Sequence, residues 1–155
     1  MSEIRLVRDY VQPPAQVWRA LTDPVLMASW MVAAIPKGFS PAVGTRFRFV
    51  GKPTIGWSGI VKCEVLEASE PQLLRYAWVA DDEREVMEVT YRLEPHGTGT
   101  RFTFLHTGFT GAGGLFLAKA VMTPIRKKMF GERLLAVLGD LDDGLPPGTA
   151  LKLGF

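Results

Sequence analysis

Four side chains in this sequence could move a proton or polarise a carbonyl from a sheltered position: Cys63, Tyr76, Tyr91 and His106. Each lies in a run where every second residue is apolar, so alternation turns all four toward the same side of a sheet. Histidine exchanges protons near neutral pH and a tyrosine hydroxyl in an apolar site can orient a carbonyl. His106 with Tyr91 or Tyr76 is therefore a candidate acid–base set for cyclisation or dehydration. A single inward histidine near a strand end is also what a core histidine bonded to backbone looks like, and both readings stay open. Cys63 is the single cysteine, and His96 in a turn is the only other histidine. Neither a disulfide nor a metal centre of three or four ligands can be assembled from them, so we expect no metal and no cofactor, and Cys63 reads as a small buried hydrophobe. No phosphate loop, dinucleotide fingerprint or serine-nucleophile elbow is present.

The elements that must position these groups are legible as alternation. One face carries Trp57, Gly59, Val61, Cys63 and Val65; then Leu74, Tyr76 and Trp78; then Met87, Val89, Tyr91 and Leu93; then Phe102, Phe104 and His106. Phe47 and Phe49 alternate with Arg46 and Arg48 in an earlier strand, and residues 4–11 form the first. Between them, Pro13-Pro14 opens a helix through Val17, Trp18 and Leu21, and Asp23-Pro24 caps and starts a short second helix over residues 25–30. Residues 36–44 read as loop, and residues 51–56, 69–71, 81–83 and 95–99 as turns. Residues 108–114 carry four glycines and read as a mobile lip. A long helix follows over residues 113–143. Leu115, Ala118, Met122, Ile125 and Met129, then Phe130, Leu134, Val137, Leu138 and Leu141, recur at three- and four-residue steps. Thr123-Pro124 inside it predicts a kink near residues 121–123 or two abutting helices.

The expected fold class is thus α+β: a curved antiparallel sheet wrapped around a long C-terminal helix, with two short helices after the first strand. Residues 1–143 are expected to form one domain, and residues 144–155 an apolar tail. Trp30, Phe47, Phe49, Trp57, Trp78, Tyr91 and Phe104 would converge between sheet and helix, as a pocket wall or as plain core. Arg126-Lys127-Lys128 reads as a solvated helix face.

These residues carry a family resemblance. The run Val17 to Pro24, Trp30, Val43-Gly44 with Phe47, Gly59 to Val61 with Glu64 and Glu67, Tyr76 with Trp78, Val89 with Leu93, Gly97 to Arg101 and His106 to Phe109 resemble the START-like or SRPBCC superfamily. Within it they look most like the branch related to the activator of Hsp90 ATPase (AHSA1-like) and to polyketide cyclases. The resemblance covers the chain to about Phe109, and the Thr123-Pro124 step, the basic run and the proline-containing tail depart from it. It implies a helix-grip fold with a deep cavity for lipids or polyketide-like molecules. On that basis the expected lining is the aromatic set above with Cys63, Tyr76, Met87, His106, Met122 and Ile125.

The 155 residues are 47% hydrophobic, and 18 basic against 16 acidic side chains leave a net charge of +2. That balance excludes an electrostatic nucleic-acid footprint, and no stretch is apolar enough to span a bilayer, so the expectation is a soluble, cytoplasmic protein. The first function expected is binding or carriage of a small apolar molecule. The alternatives are a cyclase or dehydratase using His106 and a cavity tyrosine, and an AHSA1-like chaperone regulator. Leu145, Leu151, Leu153 and Phe155 make the tail too apolar for an ordinary end; Pro146-Pro147-Gly148 predicts an extended path packed on its own domain or on a second subunit of a homodimer. Truncation after Asp143 should lower the melting temperature, by roughly 1.5–3 kcal/mol for each large side chain that was fully buried; an unchanged melting temperature and unchanged oligomeric mass would mark a merely solvated end.

Overall fold

Alternation builds one antiparallel sheet. The computed structural model describes residues 2–81 and 85–153. The strands are β1 (Ser2–Tyr10), β2 (Ala34–Lys37), β3 (Arg46–Gly51), β4 (Ile60–Ser69), β5 (Leu73–Val79), β6 (Met87–His96) and β7 (Gly99–Phe109), in the order β1-β7-β6-β5-β4-β3-β2. β2 to β7 form a meander, and β1 closes the far side by pairing with β7, with Leu6 opposite Phe104 and Ile4 opposite His106. The rows Val61-Cys63-Val65, Leu74-Tyr76-Trp78, Val89-Tyr91-Leu93 and Phe102-Phe104-His106 are all buried. A register shift between Val65 and Glu67 bends β4 against β5, as an extra residue on one strand does.

Two short helices, α1 (Pro14–Thr22) and α2 (Pro24–Trp30), lie between β1 and β2. The Asp23 carboxylate accepts from Val25 N at 2.9 Å, the cap its position predicts. Trp30 is wholly buried and donates from its indole to Ala20 O at 2.8 Å, locking the two helices together. Arg133 reaches the last carbonyls of α2, at 2.9 Å to Ser29 O and 3.3 Å to Trp30 O. This guanidinium is a helix cap rather than part of a basic surface.

Three local expectations are corrected. Residues 34–37, of which 36 and 37 read as the start of a loop, form β2; at the sheet edge the missing N–H of Pro36 costs no ladder bond. Trp57 belongs to no strand. It exchanges backbone bonds with Thr54 at 3.0 Å in the connection between β3 and β4, which is closed by Gly51 N to Gly59 O at 2.7 Å. Third, the stretch 108–114 is strand end and helix start rather than one loose connection: β7 runs to Phe109 and the helix begins at Gly111. Of the turns expected, the one over residues 81–83 lies largely outside the described residues.

The long helix runs over residues 111–142 without a break, and its regular turns are interrupted twice by wide ones, at Leu117–Met122 and Met129–Arg133. Thr123 N and its hydroxyl both reach the carbonyl of Ala118, five residues back, the hydroxyl at 2.6 Å. A π-turn ending at the residue before Pro124 re-spaces the carbonyls that the proline ring would otherwise meet. The backbone therefore stays helical through Thr123-Pro124 instead of dividing into two helices. Burial is graded along it: Phe130, Leu134, Val137 and Leu138 are wholly buried, while Leu115, Val121 and especially Phe116 are exposed.

Beyond Asp142 the chain turns at Gly144 and forms one further helical turn, Thr149–Leu153, instead of the extended path its prolines suggest. The buried Asp140 carboxylate explains it by accepting from Gly148 N at 3.0 Å and Ala150 N at 3.1 Å, where a helix start needs acceptors. Leu151 packs on the core, Leu145 and Leu153 are largely exposed, and Phe155 lies outside the described residues.

The helix is also tied to the sheet through a polar bond, because Tyr10 Oη donates to Phe130 O at 2.6 Å in a buried setting. Tyr10→Phe should lower stability by about 1 kcal/mol, the usual net worth of such a bond; equilibrium urea unfolding measures it, and an unchanged midpoint would show that the bond contributes nothing net.

Candidate functional site

A sheet that curls around a helix leaves space wherever side chains from the two do not meet. Here the space is a cavity of about 570 Å³, within the range of roughly 300–1,000 Å³ typical of small-molecule sites. The sheet contributes Phe49, Val61, Tyr76, Trp78, Met87, Tyr91 and Phe104, and the long helix contributes Leu117, Val121, Met122, Ile125, Arg126 and Met129. The segment Met31 to Ala34 forms a third wall, with Trp57 folded over from the β3–β4 connection. Gly51 makes the Trp57 position feasible, since a Cβ there would stand 3.1 Å from the indole and 2.3 Å from Ala33 O. Ala33 itself holds φ at 69°, a left-handed conformation uncommon for a residue with a side chain, on the cavity wall.

The structure brings together Phe49, Trp57, Tyr76, Trp78, Met87, Tyr91, Phe104, Met122 and Ile125 around this space. It places Trp30, Phe47, Cys63 and His106 elsewhere in the core. Trp30 packs against Phe130, their ring centroids 5.5 Å apart, and Phe47 sits edge-on to Phe39 and Phe49. Cys63 is buried, and burial pushes its thiol pKa up, so it is an uncharged core side chain and not a nucleophile.

His106 has no exposed surface and stands behind the wall, packed on Trp78, Phe109 and Phe104. Among the described residues neither ring nitrogen has a hydrogen-bond partner. Burial, and secondarily the charge of Arg126, holds its pKa well below the usual imidazole value. A neutral histidine that does not reach the cavity cannot serve as its acid or base, and is not the backbone-bonded core histidine either.

The polar groups that do reach the cavity are few. Tyr76 and Tyr91 hydroxyls are 3.2 Å apart, one donating to the other. Burial raises both phenol pKa values, that of Tyr91 to about 12, so both remain protonated at neutral pH. Asp81 and Glu85 line the cavity and are held by Ser58 and Thr110. The group missed by sequence reasoning is Arg126. Read as part of an outward basic run, it turns inward; its Nε is shielded and has no partner among the described residues, and its Cζ lies 5.6 Å from the centroid of Phe104. The signal was there in the spacing, since Arg126 is four residues after Met122 and four before Phe130, both inward-facing.

Comparisons with known proteins place the chain by family and fold. Residues 12–115 match the family described as Activator of Hsp90 ATPase homolog 1-like protein. No functionally curated protein shows significant similarity. Among solved structures, protein MLL2253 from Mesorhizobium loti is 29% identical, with a TM-score of 0.73 over 92% of this chain and 98% of its own. A protein from Arthrobacter aurescens is 18% identical, with a TM-score of 0.74 over 89% of this chain and 86% of its own. DynU16, from the dynemicin biosynthetic locus, is 20% identical, with a TM-score of 0.71 over 94% of this chain but 49% of its own. The last two share the fold.

His106 makes a titration visible. Its depressed pKa means that below about pH 6.5, its ordinary value, the unfolded chain takes up a proton that the folded chain refuses. Stability should therefore fall with pH from about 6.5 downward, by at most ~1.4 kcal/mol per pH unit for one proton. Asp9, held low chiefly by its bond from Arg101, and Asp142, held low by Gln16 and Gln12, act in the same direction only around and below 3.8. His106→Phe should flatten the profile between these windows, whatever its effect on absolute stability; urea unfolding across pH checks it, and an unaltered slope would mean that His106 titrates normally.

Proposed function

The chain belongs to the Activator of Hsp90 ATPase homolog 1-like family, and from that premise we propose that it binds and carries a small, mainly apolar molecule in the cavity between sheet and long helix. The observation that carries this reading is the cavity itself. A core of this composition is ordinarily packed to crystal-like density, whereas here the side chains of sheet and helix leave about 570 Å³ between them. Aromatic and thioether side chains from sheet, helix and loop meet around it, giving an adaptable apolar surface. Transfer of apolar ligand area from water into this space supplies the driving force, about 25 cal/mol for each Å².

The site residues of this reading are Phe49, Trp57, Tyr76, Trp78, Met87, Tyr91, Phe104, Met122 and Ile125, joined by Met31, Arg126 and Met129. DynU16 comes from a biosynthetic locus, which is in keeping with an organic small molecule as the occupant. No helix among the described residues is long and apolar enough to cross a membrane. A carrier needs a mouth, and exposed Val121 and the Trp57 loop flank the same cavity.

Titration with a neutral naphthylamine dye, with native mass spectrometry of the purified chain, tests the proposal. We expect either retained added mass or saturable dye binding, with Trp57→Ala weakening the dye by about tenfold, the equivalent of ~1.4 kcal/mol of lost contact. No added mass, together with no saturable dye binding, would overturn it.

A further inference from the structure

Arg126 presents five N–H donors and no acceptor to a space whose walls are otherwise mainly apolar or aromatic, with Asp81 and Glu85 the carboxylates that also line it. Its Nε is shielded and without a partner among the described residues, one terminal nitrogen makes a 3.5 Å contact with Met129 Sδ, and the guanidinium carbon lies over Phe104. Thioether sulfur is a weak acceptor, and a ring face compensates a cation only in part. Among the described residues no carboxylate pairs with it. Asp81 accepts from Ser58 N and Oγ at 2.8 and 2.5 Å, and Glu85 accepts from Thr110 Oγ at 3.1 Å. The polar groups whose fields reach Arg126 are Tyr76, Tyr91 and Cys63, all uncharged at neutral pH. A guanidinium that is half-buried in an apolar site without a counter-charge is costly to keep, and the adjoining Lys127 and Lys128 show that this helix turn has outward positions to which a charge could have been assigned.

The two tyrosines supply a second part of the same site. Their hydroxyls hold two protons, and their mutual bond at 3.2 Å uses one. Among the described residues the remaining O–H has no acceptor, and the pair lines the cavity from the sheet while Arg126 enters it from the long helix.

Building on the apolar-ligand reading above, we propose that the occupant is an amphipath bearing a carboxylate or comparable oxyanion, whose charged end pairs with Arg126 and accepts the spare hydroxyl of the Tyr76–Tyr91 pair. The apolar body then lies against Phe49, Trp78, Met122 and Ile125 and runs toward Trp57. Burial holds the Arg126 pKa below its usual value, and an anion arriving beside it reverses that direction.

Laurate and dodecanol, which share a chain and differ in the charged end, separate this claim from the broader one. Each is titrated near neutral pH into the full chain, with quenching of Trp57 and Trp78 fluorescence or calorimetry as readout. The wild type should bind laurate at least about tenfold more tightly than dodecanol, the scale of a charge-assisted bond. Arg126→Met should bring the two to near parity, and Arg126→Lys should keep part of the preference. Equal binding by the wild type, or a preference for the alcohol, overturns the anionic assignment and leaves the apolar cavity standing. Saturable binding of the neutral dye without binding of either lipid overturns the anionic assignment alone, and no binding of any of the three overturns both. The wild-type comparison decides the matter even where Arg126→Met does not fold, and a variant that retains the full laurate preference also sinks the proposal.

Discussion

The packing of Phe130 sets the geometry of the whole molecule. Its ring lies 4.9 Å from that of Phe104, 5.1 Å from Phe102 and 5.5 Å from Trp30, so sheet, long helix and helix pair meet on one side chain. Its carbonyl is bonded by Tyr10. Aromatic contacts at such separations add specific attraction to area burial, and here they fix the distance between helix and sheet at one point. From that point toward the C-terminus the helix is buried by Leu134, Val137 and Leu138. Toward its N-terminus Met122 and Ile125 line the cavity, while Ala118 is wholly buried. The cavity thus lies over the stretch of helix beyond the Phe130 cluster, where side chains of helix and sheet do not meet.

Most of the fold was legible because strands with one buried face write their period into the sequence. The rows through Tyr76, Tyr91 and Phe104 fix which side of each strand faces inward, and Asp23-Pro24 fixes the start of α2. What escaped was decided by tertiary context. β2 is short and contains proline, so nothing local distinguishes it from loop until β3 is seen to lie beside it. Trp57 continues the alternation of β4 in sequence but is carried away by Gly56 and Gly59, both at positive φ. Trp30, Phe47, Cys63 and His106 were legible as inward but not as lining, because alternation reports the side of a sheet and not the depth behind it.

Arg126 shows the limit most plainly. A charge run was weighed as a unit, and composition alone favoured the solvated face for all of it. Helical spacing separates the three members: one belongs to the file of Met122 and Phe130, and two do not. The cavity electrostatics then follow from burial. His106 is kept neutral, the tyrosines are kept protonated, and the one permanent cation remains, since guanidinium does not give up its proton under any ordinary condition.

The two wide turns at Leu117–Met122 and Met129–Arg133 act as phase shifters. Each accommodates one residue more than a regular turn, so everything downstream is rotated by about 100° relative to a straight helix. The helix therefore consists of three stretches whose faces are set independently: one exposed at the cavity mouth, one facing the cavity, one buried. Substitutions that reshape the contents of the middle stretch do not oblige the last to change, so the same scaffold can drift in what it holds while its anchoring face is conserved by packing alone. Loss of a single residue from either wide turn would do the opposite, turning one stretch out of register with its neighbour and exchanging its inward and outward sides.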